Sequence, residues 1–170
     1  MAESLAATLR IVVDATLSIS LDLSGSSQPL KYTQTYAFTD GAGANKAGQM
    51  FTDQRTLGAS ATEDLDMSGT LTNAFGTTVA FTNIKALVVS AAAGNTNDVD
   101  VGGAASNGVI SFFGDANDKL SVKPGGTIVL IAPDATGYDV TASTADLLTF
   151  TNSSSGTGVT YDIVVIGETA

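Results

Sequence analysis

"TLSISLDLSGSSQPLKYTQTYAF", residues 16–38, decides the fold class. Its first half sets Leu17, Ile19, Leu21 and Leu23 against Thr16, Ser18, Ser20 and Asp22. Its second half sets Leu30, Tyr32, Tyr36 and Phe38 against Lys31, Thr33, Thr35 and Ala37. Successive side chains of a strand point to opposite faces, so this period of two predicts two half-buried strands. The run from Gly25 to Pro29 supplies turn chemistry between them, and the pair reads as a β-hairpin.

The same grammar continues outward. "FTDGAGANKAGQMF", residues 38–51, is a connection built on Gly41, Gly43 and Gly48. Lys46 lacks the G-K-[ST] setting and no helical pattern follows, which argues against a phosphate-cradling loop. Asp64 and Asp66 then alternate with Leu65 and Met67, Val79 and Phe81 mark a strand, and Ile84–Val89 marks another. Val109–Phe113, "KLSVK", "TIVLIA", "DLLTFT" and "VTYDIVVIG" complete the strand candidates, and turn signals recur at the spacing of a sandwich or barrel. A short helix over residues 3–10, "ESLAATLR", is the one helical expectation. The predicted fold is therefore all-β, an antiparallel β-sandwich, jelly-roll-like, with about 8–10 strands and little helix. One domain over 1–170 is expected, with 1–29 as an N-terminal arm and first strands of the same unit.

Composition excludes several function classes. The 170 residues contain no Cys and no His, which removes disulfides, thiolate metal sites and every Ser-His triad. A net charge of −10, with seven scattered Lys and Arg, disfavours nucleic acid as a partner. The longest apolar runs fall well short of a membrane span, and Glu3, Arg10 and Asp14 break any signal-peptide pattern, so neither export nor membrane anchoring is expected. No G-x-S-x-G elbow accompanies the serines. The chain reads as a non-enzyme without a cofactor, and no catalytic residue is assigned.

Oxygen-rich segments are the remaining chemical candidates. In "GNTNDVDVGG", residues 94–103, Asp98 and Asp100 fall on one face of a short strand, and Val99 and Val101 on the other. Asp115 and Asp118 in "GDANDK" resemble the start of a calcium loop without its remaining ligands. No metal site is assigned; a bound cation would draw on Asp98, Asp100, Asp115 and Asp118. Glu63, Asp64 and Asp66 form an acidic cluster that reads as a polar face opposite Leu65 and Met67. Asn152-Ser-Ser matches the glycosylation triplet by chance composition.

"ALVV", "IVLI" and "IVVI" are apolar on both faces, and Phe112 and Phe113 point to opposite faces if their strand is regular. A two-layer sandwich covers one face of each sheet. Two readings stay open for the second face: cover by the chain itself, or by another subunit. The interface candidates under the second reading are Ile84, Leu87, Val88, Val89, Phe112 and Phe113.

A resemblance adds a functional expectation. The runs "KYTQTYAFTDGAGANKAGQMFTDQRTLGASATEDLDMSGTLTNAFG" (31–76) and "IKALVVSAAAGNTNDVDVGG" (84–103), with "KPGG", "APDATGY" and "VTYDIVVIG", resemble a family of small β-rich structural proteins of tailed bacteriophages and prophages. The resemblance spans nearly the whole chain after about residue 30, and none of its segments is a catalytic motif. It implies a virion component. Joined to the physical features above, it leads to the expectation of a capsid decoration (cement) protein on the outer surface of the capsid. Its expected partners are the major capsid protein and further copies of itself, as a homo-oligomer such as a trimer. A tail or baseplate subunit and a receptor- or carbohydrate-binding module are the alternatives.

Overall fold

The computed structural model describes residues 3–169; Met1, Ala2 and Ala170 of the expected unit lie outside the described residues. Every regular element described is a strand. In chain order these are β1 (Ala6–Ser20), β2 (Gly25–Thr39), β3 (Gln49–Leu57), β4 (Thr62–Asp66), β5 (Leu71–Thr72), β6 (Thr78–Val79) and β7 (Phe81–Ala91). They continue with β8 (Val99–Gly102), β9 (Lys119–Val122), β10 (Thr127–Ile131), β11 (Tyr138–Asp139), β12 (Leu147–Asn152) and β13 (Val159–Thr169). The all-β sandwich expected from the sequence is what forms.

One sheet has the order β10–β7–β13–β3, with β11 also paired to β7, and the other has the order β4–β12–β8–β9. All these pairings are antiparallel. They are also nested: β3 lies beside β13, β4 beside β12, β7 beside β10 and β8 beside β9. Phe81, Ile84, Leu87 and Val89 from one sheet share a core with Val99, Val101, Leu148 and Phe150 from the other. Phe150 and Tyr161 stack across the interior at 4.5 Å with ring planes 10° apart. Full burial of side chains of this size contributes about 1.5–3 kcal/mol each, so this interior dominates the stability.

Strand β7 carries a bulge that strict alternation does not anticipate. Its register against β13 shifts between Ile166, opposite Ala86, and Gly167, opposite Ile84, so Lys85 is the extra residue. Inserting one residue resets the parity of a strand. Ile84 and Leu87, three positions apart, consequently both face the core, and Ala86 turns to the outer face. Gly167 allows the close approach, because a Cβ there would lie 2.3 Å from the Asn83 carbonyl oxygen.

Three sequence expectations need correction. Residues 6–10 belong to β1 and not to a helix, because Leu5, Ala7 and Leu9 use period two to bury one side on the body. The hairpin turn is Leu21–Ser24, closed by the Leu21 amide on the Ser24 carbonyl at 2.8 Å, and the predicted turn Gly25–Pro29 is the start of β2. Val109–Phe113 is no strand: Phe112 and Phe113 sit in turns, and both rings pack against the main core. Phe113 closes on Gly102, whose φ of 103° suits glycine and where a Cβ would meet the ring at 2.7 Å.

Candidate assembly surface: the projecting hairpin

β1 and β2 pair along their full fifteen residues each, from Ala6 opposite Thr39 to Ser20 opposite Gly25. At about 3.3 Å per residue this ribbon is roughly 50 Å long. Every residue from Arg10 to Thr35 is exposed, so the half-buried strands predicted there are instead free of the body. The register places Ile11, Val13, Ala15, Leu17 and Ile19 on one face with Leu30, Tyr32 and Gln34. Leu17 is 75 % exposed and Leu23, at the tip, is fully exposed. The opposite face is mostly polar, with Thr8, Arg10, Asp14, Thr16, Lys31, Thr33 and Thr35.

The foot of the hairpin explains why this face is apolar. Phe38 is buried with Ala47, Ala86 and Ile166, and Leu5, Ala7, Leu9, Tyr36, Ile131 and Val164 pack around them. The foot thus lies on the outer face of the five-stranded sheet. One row of that face, Ile131–Ala86–Ile166–Met50, runs beneath or beside the foot. The next row, Val129–Val88–Val164–Thr52, is only partly covered, with Val129 40 % exposed. Beyond it the face turns polar at Thr127, Ser90, Asp162 and Gln54.

A buried ion pair pins the base. Lys85 Nζ lies 3.1 Å from Glu168 Oε1, with the lysine side chain wholly buried and the glutamate 8 % exposed. Lys85 also donates to the Asp134 carbonyl at 2.6 Å, and Glu168 accepts from the Gly43 amide at 2.6 Å. The β2–β3 connection, the bulge and the loop after β10 are tied at one point. Gly43 belongs to the glycine-rich run whose role the sequence left unspecified.

The expected interface residues divide. Ile84, Leu87 and Val89 are wholly buried inside the sandwich, so in this chain they offer no surface. Phe112 and Phe113 are half-buried against the same core, Phe112 lying 4.7 Å from the Tyr138 ring. Val88 alone lies on the outer face, in the partly covered row. The second face of the apolar strands is therefore covered in part by the chain's own foot. The signal for the hairpin face was present in the alternation of residues 16–38; its lack of an intrachain partner was not.

The carboxylates of Asp98, Asp100 and Asp115 are engaged by the protein itself. Asp98 pairs with Lys123 at 2.5 Å, and Asp100 with Lys119 at 2.7 Å and Ser121 at 2.5 Å. Burial alone would raise the Asp100 pKa, but hydrogen bonds from Lys119 and Ser121, with the charges of Lys119 and Lys123, hold it below the usual carboxylate range. Asp115 closes a local turn through the Asn117 amide, and the Asp118 amide donates to the Asp115 carbonyl. Among the described residues, no group of three or more acids is placed to hold a metal ion. Asn152 is buried and donates to the Gly58 and Thr157 carbonyls, which leaves the triplet no acceptor nitrogen in solvent.

Glu63 departs from the expected polar face. It shares the inward side of β4 with Leu65 and Met67, accepting from Tyr161 Oη at 2.8 Å and from Arg55 Nη2 at 2.6 Å. Burial, then the hydrogen bond to Glu63, pushes the Tyr161 phenol up, and the Glu63 hydrogen bond raises Arg55 further still. An open hollow of about 470 Å³ beside them is lined by Asp53, Arg55, Asp64, Asp66 and Thr70–Ala74. Its charged groups are already taken: Arg55 by Asp53 and Glu63, Asp64 by Thr149, Asp66 by the Ser68 amide. No family model, curated protein or solved structure matches the chain.

Proposed function

We propose that this protein is a non-enzymatic structural subunit of a virion, in its narrower form a capsid decoration protein that binds between capsomers. The observation that carries the reading is the hairpin: beyond its foot, about 35 Å of ribbon has an apolar face with no partner among the described residues of its own chain. A rigid sandwich with one long adhesive arm suits a fastener between neighbouring subunits better than a catalyst. The nested pairing of the eight main sandwich strands supports the jelly-roll reading, an architecture common in viral shells. The virion assignment itself rests on the phage-family resemblance in residues 31–76 and 84–103. A tail or baseplate subunit would use the same arm. The carbohydrate-binding alternative is less favoured, since the strongly exposed aromatics Tyr32 and Phe75 lie on separate elements.

The test is a high-resolution map of purified particles of the virus encoding this chain, with mass spectrometry of their proteins. Decoration predicts density at capsomer junctions on the outer head surface, with the hairpin against a neighbour. Density in the tail refutes decoration, and absence of the chain from intact particles refutes the virion role.

A further inference from the structure

We infer that the distal hairpin docks on a second copy of this chain, with its apolar face over the partly covered Val88–Val129–Val164 row of that copy's outer sheet. The inference deepens the assembly reading above by naming the partner of the arm. Three observations carry it.

The first is continuity with an interface the chain already makes. At the foot, Ala7, Leu9, Tyr36 and Phe38 bed on Ala86, Ile131, Val164 and Ile166 of the outer sheet. Farther along the same ribbon face come Ile11, Val13, Leu17, Ile19, Leu30 and Tyr32, with nothing beneath them. Farther across the same sheet face comes the valine row, with Val129 40 % exposed. Each copy therefore carries a ribbon lacking a sheet and a sheet row that its own foot covers only at the Val164 end, of the kinds seen to fit each other at the foot. Neither can satisfy the other within one chain, because the ribbon runs off the body.

The second is area. The six ribbon residues leave on the order of 600 Å² exposed, the upper limit for one patch on a soluble monomer, so the ribbon is of the size that calls for a partner. The third is charge. The ribbon holds Arg10 and Lys31 against Asp14 and Asp22, so the whole net charge of −10 resides on the rest of the chain. Two bodies of like charge repel, and a neutral arm is the part that can approach a neighbour without that penalty. A strongly basic or acidic partner surface finds no complementary charge on the ribbon.

The absence of cysteine makes the test direct. One protein carries a single Cys in place of Ile11, Val13, Leu17 or Ile19, and a second carries Val129→Cys. The two are mixed under mild oxidation, where a bond forms only if the Cα atoms come within about 7 Å. Docking predicts that at least one ribbon position gives a mixed disulfide dimer as the main product. Leu17→Asp with Leu30→Asp should abolish it and leave a monomer by light scattering, with the unfolding midpoint equal to that of the unsubstituted chain at dilutions where both are monomeric, because neither residue touches the body. Ribbon-to-ribbon dimers alone would overturn the inference in favour of paired arms. A chain that stays monomeric at all concentrations, without mixed product, would overturn it in favour of a different partner. Either failure leaves the virion role to be decided by the particle map.

Discussion

Replacing Lys85 by Met removes the charge at the base of the arm while retaining most of the stem's packing. The ion pair spans 3.1 Å between a wholly buried lysine and a nearly buried glutamate. At an effective dielectric near 20, Coulomb attraction over that distance is about 5 kcal/mol before desolvation is subtracted. Removing one partner leaves Glu168 with the Gly43 amide and no counter-charge, and leaves the Asp134 carbonyl without its donor. Breaking a buried pair in this way costs about 3–5 kcal/mol. With a urea m-value of about 2 kcal/mol/M, the midpoint of Lys85→Met should fall by roughly 2 M. Far-UV circular dichroism and tyrosine fluorescence both report the transition, the latter without interference because the chain has no Trp. Adding Glu168→Gln removes the stranded charge, so the double variant should recover at least about 2 kcal/mol relative to the sum of the single changes. A loss below about 1 kcal/mol for Lys85→Met, or strictly additive single effects, would refute the reasoning.

Phe150→Ala removes a wholly buried ring stacked on Tyr161 and should cost about 3–5 kcal/mol in equilibrium unfolding. Asp100→Ala removes charge-assisted hydrogen bonds to Lys119 and Ser121, both exposed enough to rehydrate, and should cost about 1 kcal/mol by the same assay. The folded-state pKa of Asp100 is depressed, so its contribution is present above the unfolded carboxylate value and lost as pH falls through the folded one. Asp100→Asn should accordingly flatten the loss of stability below about pH 4, measured as unfolding midpoint against pH. Millimolar calcium and excess chelator should give the same melting temperature, because the Lys123 and Lys119 ammonium groups occupy the places a cation at Asp98 or Asp100 would take.

Strand identity was legible wherever period two was clean. Leu17 and Ile19 against Ser18 and Ser20, or Val99 and Val101 against Asp98 and Asp100, could be assigned to faces without coordinates. What period two cannot say is what lies opposite a face. Leu17 and Val101 carry the same local signal, yet one is 75 % exposed and the other wholly buried. That difference comes from topology, which sends β1 and β2 off the body and encloses β8. The bulge at Lys85 was hidden for a related reason, since an extra residue is defined only against a partner register. "ESLAATLR" favoured helix through its Ala, Leu and Glu content, and the foot's packing on the sheet overrode that propensity. Ile84, Leu87, Val88 and Val89 belong to a strand whose sequence is apolar on both sides. The structure divides those sides between the core and the chain's own foot, leaving Val88 as the member on the outer face.

The position of β13 has a consequence for biosynthesis. It is the strand between β7 and β3, and it follows both in the chain, beginning 68 residues after β7 ends. On a ribosome the hairpin of β1 and β2 can close early, from neighbouring residues. The sheet beneath its foot stays incomplete until Val159–Thr169 emerges. During that interval "IKALVV" of β7 and "QMFTDQRTL" of β3 are open edges on a nascent chain, the condition in which β-proteins coaggregate. Mutual repulsion among acidic nascent chains opposes their contact on a polysome during this wait, so the aspartate surplus acts on association before any mature surface exists.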